Sequence, residues 1–249
     1  PATSAVYFET RDVGQTIKTF VSAVVDQFQP MMGGDTGLDQ VEDFLGSPVE
    51  DFLLWMEDAA VSVAVDGDQV TFGLASTVTD STVAAQRVER LTTAIRAAAA
   101  FGQVPFEIQE TEVLGAQVTT IAAVSDPAMP LPDDLPFEPS LSYGIHDGIF
   151  YLGVGDFVPG AIQQSATDSL AGDADYASAL EAAGGATNTG VLYLDLAALR
   201  VLFEASIPDE ERAAYELEAK PYLEALDRYI TVGTIDDGDL SARALLYVE

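Results

Sequence analysis

The chain has 249 residues, 48% of them hydrophobic, no cysteine, and 41 acidic side chains against 10 basic ones, for a formal net charge of −31. A chain of this length buries a core without staples, and its apolar content excludes a disordered coil in spite of the charge. The same balance excludes a binder of phosphate backbones, whose affinity comes from cations that displace counterions, and the missing thiols exclude disulfides, thiolate catalysis and cysteine metal sites.

Alternation and turn chemistry predict strands at about 5–10, 59–66, 69–78, 105–112 and 116–124 in the first half, with helices at about 13–29, 38–46, 49–57 and 80–101. The last helix has Asp80 as N-cap, an apolar stripe through Val83, Val88, Leu91, Ile95 and Ala98, and Gly102 as its stop. Residues 126–139 hold five prolines in fourteen positions and sustain neither helix nor central strand. They mark the expected connection between a first α+β half, 1–125, and a second, 140–249. A hairpin follows, Ser140 to Ile145 and Ile149 to Val154, turning at His146-Asp147-Gly148. Helices are expected at about 156–166, 173–183, 196–206 and 208–226, and strands at about 189–195, 228–236 and 239–248.

The end of the chain repeats its beginning. Ala5-Val6-Tyr7-Phe8-Glu9 opens a strand that leads into helices and then a hairpin around Asp66-Gly67-Asp68, and Gly190-Val191-Leu192-Tyr193-Leu194-Asp195 leads in the same way to a hairpin around Asp237-Gly238-Asp239. A β-α-α-β-β unit used twice, with strands arriving in hairpins and helices grouped between them, predicts an α+β fold of antiparallel sheets covered by helices. The pattern leaves open whether the two sheets lie side by side or join edge to edge, the latter hiding two vulnerable edges.

Little in the chain carries chemistry. His146 is the only histidine, and a hairpin turn is where a solvated imidazole is expected, so neither a catalytic triad nor a zinc site is assembled around it. Gly153-Val154-Gly155-Asp156-Phe157-Val158-Pro159-Gly160 follows a strand and opens a helix, but its third glycine falls two residues late for a dinucleotide loop, and Asp156 reads as an N-cap. Paired carboxylates occur at Asp66 and Asp68, at Asp173 and Asp175, at Asp236, Asp237 and Asp239, and at Glu107, Glu110 and Glu112. None matches the twelve-residue calcium loop, and loosely associated cations are the expectation. Tyr143, Phe150, Tyr151 and Phe157 read as core residues rather than as the wall of a pocket.

Several stretches, in order, resemble a family of uncharacterised bacterial envelope proteins, the domain of unknown function 3352. They are the opening strand Pro1 to Glu9, the Ala-Val-Ser-Val-Ala-Val strand centred on 61–65, the Thr79-Asp80 helix start, Glu112-Val113-Leu114-Gly115-Ala116-Gln117-Val118, and Tyr143 to Gly153 leading through Asp156 to Ser169-Leu170-Ala171. The resemblance implies an exported, often lipid-anchored bacterial protein, and it brings no activity and no functional residues. The chain opens at Pro1 and not at Met, from which a preceding signal peptide and lipid anchor are expected. No stretch approaches the roughly 18 apolar residues of a membrane span, so membrane contact is expected only through that anchor.

Two readings of function follow. The first is a non-catalytic interaction or structural module of a cell envelope or surface, without cofactor or metal, whose partner is another protein or an envelope assembly. The second is a carrier of a lipid or other apolar ligand. A solvent-open apolar cavity favours the carrier, and a filled core with an exposed apolar patch favours the module. An acidic surface poor in lysine is also what adaptation to salty water looks like, because salt screens repulsion between carboxylates.

Overall fold

The computed structural model describes residues 3–19, 46–66, 69–101, 106–124, 137–164, 168–185, 188–236 and 239–248. They form an α+β protein with a large antiparallel sheet and several helices, the class expected from the hairpins. The strands are β1 (Ser4–Thr10), β2 (Met56–Asp66), β3 (Gln69–Val78), β4 (Phe106–Val113), β5 (Ala116–Ala123), β6 (Ser140–His146), β7 (Ile149–Val154), β8 (Gly190–Asp195), β9 (Leu226–Asp236) and β10 (Asp239–Val248). A helix begins at residue 13 and is described to residue 19. It is followed by α1 (Val49–Phe52), α2 (Ser81–Phe101), α3 (Phe157–Gln163), α4 (Ala174–Ala182), α5 (Leu196–Ser206), α6 (Asp209–Glu218) and α7 (Lys220–Leu223).

Hydrogen-bonded neighbours run β10-β9-β8-β1-β2-β3-β7-β6-β5-β4. The chain divides into two compact units that do not follow chain order: Pro1–Thr10, Ala60–Phe72 and Gln164–Glu249 form the first, and Arg11–Ala59 with Gly73–Gln163 form the second. The expected proline-rich connection falls within the sequence range of the second unit, and residues 125–136 lie outside the described residues, as do residues 20–45, which hold the rest of the helix expected at about 13–29 and most of the one expected at about 38–46, Gly102 and the tips of the two Asp-Gly hairpins.

In the second unit the sheet alternates as a pleated strand must. Tyr143 stands opposite Thr119 on one neighbour and Leu152 on the other, while Gly144 stands opposite Val118 and Tyr151. The Tyr143 side packs with Val13, Trp55, Met56, Ala59, Ala84 and Phe150, and Val88 and Ile95 of α2 close over it. The Val118 side packs with Ala116 and with Phe157, Val158 and Ile162 of α3. The Phe157 ring lies over two glycines, since a Cβ on Gly73 or Gly153 would sit 2.2 or 2.5 Å from its Cδ1. Any side chain there would overpack the site.

Asp80 caps α2 as expected, accepting from the N–H groups of Thr82 at 2.7 Å and Val83 at 3.1 Å. Those two bonds, Val83 first, hold its carboxyl below the ordinary range. The buried stripe of α2 differs from the expected one: Ala84 and Thr92 are buried and Val83 is exposed. Ala84 lets the helix lie close, and Thr92 places its Oγ1 2.9 Å from the Tyr143 hydroxyl.

In the first unit, Val191, Tyr193, Ile230 and Val232 of β8 and β9 form a core with Leu170 and with Tyr176, Ala179 and Ala183 at α4, joined by Tyr7, Leu245 and Tyr247. Asp173 caps α4 through the N–H groups of Asp175 and Tyr176. β1 and β8 pair antiparallel with Tyr7 opposite Tyr193, so the opening strands of the two similar stretches are direct neighbours. Two expected helices are shorter than anticipated. Residues 53–55 turn, and strand β2 starts at Met56, where 49–57 was expected to be helical. Helix 208–226 breaks at Ala219 and restarts with Pro221 in the first turn of α7, where a missing N–H costs nothing.

Candidate functional site

The residues singled out in the sequence mostly have structural partners. His146 ends β6 opposite Ile149, and the turn that follows has Asp147 at φ 48° and Gly148 at φ 76°, the two positive φ values of a type I′ hairpin. Its imidazole Nε2 lies 3.5 Å from Asp147 Oδ2, a carboxylate that is almost fully exposed. The imidazole itself is 23% exposed, less solvated than expected of a turn residue. His146→Ala is therefore expected to cost about 1 kcal/mol, the usual loss for a half-buried side chain, to be checked by denaturant titration of both proteins.

The glycine-rich stretch 153–160 serves packing. Gly153 makes room for Phe157, Gly155 takes φ 63°, and Asp156 immediately precedes α3, its carbonyl accepting from the Gly160 N–H at 2.9 Å. Among the acids, Asp173 is spent on the α4 cap, Asp175 binds Arg228 Nη1 at 2.8 Å, and Glu110 pairs with Arg96. Asp68 and Asp237 fall outside the described residues. No cluster of three or more carboxylate or imidazole groups suited to a metal ion occurs among the described residues. Tyr143, Phe150 and Phe157 are core, as expected, and Tyr151 is half-buried, with desolvation and then the Asp147 charge raising its phenol.

A feature that the sequence reading passed over is the second face of the first unit's sheet. Register places Val6 and Phe8 of β1 beside Leu194 and Leu192 of β8, and these beside Tyr229 and Thr231 of β9, with Leu246 and Ala244 of β10 beyond. Helix α5 approaches this part of the fold and has no fully buried residue. Phe8 is 44% exposed, Leu246 54% and Ile235 59%. β10 is also the last strand in the hydrogen-bonding order, and its ten residues carry only two charges, Asp239 and Arg243. Edge strands are ordinarily guarded by charge, proline or bulges; β10 has a register shift only at its end, between Tyr247 and Val248, and is otherwise apolar and nearly neutral in a chain of net charge −31. The readable signal was that β10 is apolar at both parities, Ala242, Ala244 and Leu246 on one and Leu245 and Tyr247 on the other. A strand with one solvated face would alternate.

Beside this face, Leu196, Leu199, Phe203, Leu223 and Leu226 line an apolar pocket of about 210 Å³, with Arg200 donating from Nη1 to the Leu223 carbonyl at 2.9 Å. Exposed Leu217 and Tyr222 lie on α6 and α7. No helix among the described residues is long and apolar enough to cross a membrane.

No protein-family model and no curated protein matches the chain. Among solved structures, crystal form IV of TP0453 aligns with 98% of this chain and 76% of its own length at 10% identity and a TM-score of 0.38. Crystal form I of TP0453 aligns with 98% and 74% at 9% identity and a TM-score of 0.36. Both scores fall below the level at which a shared fold follows.

Proposed function

We propose that the chain is a non-catalytic module of a bacterial cell envelope or surface that works by binding another protein, and that its contact face is the under-covered apolar face of the first unit. One observation carries this reading: Phe8 of β1, Ile235 of β9 and Leu246 of β10 lie exposed on one part of the sheet, whose last strand carries only two charges, in a chain of net charge −31. A monomer seldom leaves such an area uncovered without a use for it. The partner is a protein that presents an apolar strand or helix with a basic rim. Backbone groups of β10 suit strand addition, and the −31 charge would steer a cationic rim toward it.

Bacterial and extracytoplasmic placement rests on the resemblance to the envelope family. The proposal includes a duplicated architecture, supported by the strand order β10-β9-β8-β1-β2-β3, in which each opening strand is flanked by its own hairpin.

The test is affinity capture from source extract at low and high salt, with wild type and with Ile235→Glu/Leu246→Glu as bait. Wild type is expected to retain a basic protein that the double variant loses, and to retain less of it at high salt. Retention of the same protein by both baits would sink the proposed face. A co-purifying small molecule with no protein would make the chain a carrier.

A further inference from the structure

The second unit contains a polar pocket of about 470 Å³ that the interaction reading does not use, within the roughly 300–1,000 Å³ of small-molecule sites. Glu89, Thr93 and Arg96 line it from α2, at positions i, i+4 and i+7 on one side of the helix. Glu110 of β4 and Gln117 and Thr119 of β5 line it from the sheet. Register sets Thr119 directly between Glu110 on one neighbour and Tyr143 on the other, so these polar groups share the sheet face that α2 covers. We propose that this pocket binds a neutral, hydroxyl-rich small molecule, a sugar or a cyclic polyol.

Thr119 is the residue that points to a ligand. It is 5% exposed, and its hydroxyl bonds to no other described residue. Nor is that hydroxyl sealed in the core: among the described residues the side-chain polar atoms that are both sealed and unmet are Trp55 Nε1 and Asn188 Oδ1. Thr119 Oγ1 therefore opens onto the pocket that it lines, and its partner has to come from there, since a polar group so far removed from water is ordinarily bonded. The Gln117 amide and the Glu89 carboxylate in the same lining likewise bond to no other described residue.

These groups call for a ligand that both gives and takes hydrogen bonds. The Thr119 hydroxyl and the Gln117 amide can do either, and the Glu89 carboxylate only accepts. Thr93 Oγ1 donates its one proton to the Glu89 carbonyl at 2.9 Å, so it too offers only lone pairs. Hydroxyl groups satisfy all four. An ammonium would leave the Gln117 N–H groups unmet, and an anion would face the carboxylates of Glu89 and Glu110. Arg96 pairs with Glu110, which ties α2 to β4 and orders the two walls before a ligand arrives. Val88 and Ile145, both partly buried, add apolar surface that the C–H groups of a ring would cover.

The experiment follows amide chemical shifts of the isotope-labelled full chain during titration with glucose, galactose, mannose, N-acetylglucosamine and myo-inositol. Cyclohexanol is the hydroxyl-poor control and ethylammonium the cationic one. At least one of the hydroxyl-rich probes is expected to shift the amides of Gln117 and Thr119 saturably and to bind at least tenfold more tightly than either control. Thr119→Val, which removes the hydroxyl and keeps the shape, is expected to weaken that probe about tenfold, the equivalent of one hydrogen bond. If Thr119→Val fails to fold by circular dichroism, Gln117→Leu, at an exposed position, is read in its place with the same expectation. No saturable shift with any hydroxyl-rich probe, a control that binds as tightly as the best of them, or a folded variant that binds like wild type would overturn the assignment. The Ile235→Glu/Leu246→Glu protein tests the interaction face separately, because the altered residues belong to the first unit.

Discussion

Replacing Tyr143 by alanine is expected to cost about 3–5 kcal/mol, the range for deleting a large aromatic side chain from a packed core. Tyr143 is 1% exposed, at the centre of the cluster that joins helix 13–19, Trp55, α2 and the sheet of the second unit. Its hydroxyl accounts for only a small part of that cost. The one proton of Thr92 Oγ1 goes to the Val88 carbonyl at 2.9 Å, so in the 2.9 Å contact between the hydroxyls Tyr143 donates. Tyr143→Phe then leaves Thr92 with a partner and should cost about 1 kcal/mol. Denaturant unfolding followed by Trp55 emission measures both, since Trp55 belongs to the same cluster. A loss below about 1 kcal/mol for Tyr143→Ala, against that core range, would show that this cluster does not hold the second unit together.

High pH should unfold the first unit. Tyr7, Tyr176 and Tyr193 meet edge to face, with ring centres 5.8 and 5.1 Å apart. Burial, followed by the Glu9 carboxylate, pushes the Tyr176 phenol up to about 12. Burial, followed by Asp195, does the same to Tyr193. Tyr7 is raised further still, by burial first and then by Glu9, to which its hydroxyl donates at 3.1 Å. Each raised value means that the folded protein keeps a proton which the unfolded chain releases near pH 10. The stabilisation is thus complete below pH 10 and is lost as pH rises to about 12. Two shifts of about two units each sum to on the order of 5 kcal/mol. Tyrosinate absorbance should rise in two stages, the later one together with loss of structure, and Tyr176→Phe should move the alkaline midpoint upward. A single titration of all nine tyrosines near pH 10 with the fold intact would contradict this.

How far the fold was legible depended on whether a local signal decided the outcome. β6 and β7 were readable because His146-Asp147-Gly148 supplies the positive φ values of a tight hairpin. α2 was readable from Asp80, whose carboxylate does cap it. The run Leu53-Leu54-Trp55-Met56 is not the helix expected there, because a short apolar stretch has no period of its own; the helix ends at Phe52, and Trp55 and Met56 are buried at the entry to β2. Pro221 was a usable sign of the break after Ala219 and was passed over. Which stripe of α2 faces inward could not be read locally, because Thr92 is drawn in by Tyr143, 51 residues away. The candidate contact face left a trace in the doubled apolar parity of β10.

The pairing of β1 with β8 has a consequence for biosynthesis. Val6 must find Leu194, and Thr10 must find Gly190, so one side of the first strand has no template until most of the chain exists. At translation rates of about 5–20 residues per second, that interval is on the order of 10–40 s. Pairing across so long a separation is slow to close even in the finished chain. The second unit, whose residues all precede Gln164, can be complete while the β8-facing edge of Ser4–Thr10 still waits, so the nascent protein carries a half-paired strand through most of its synthesis.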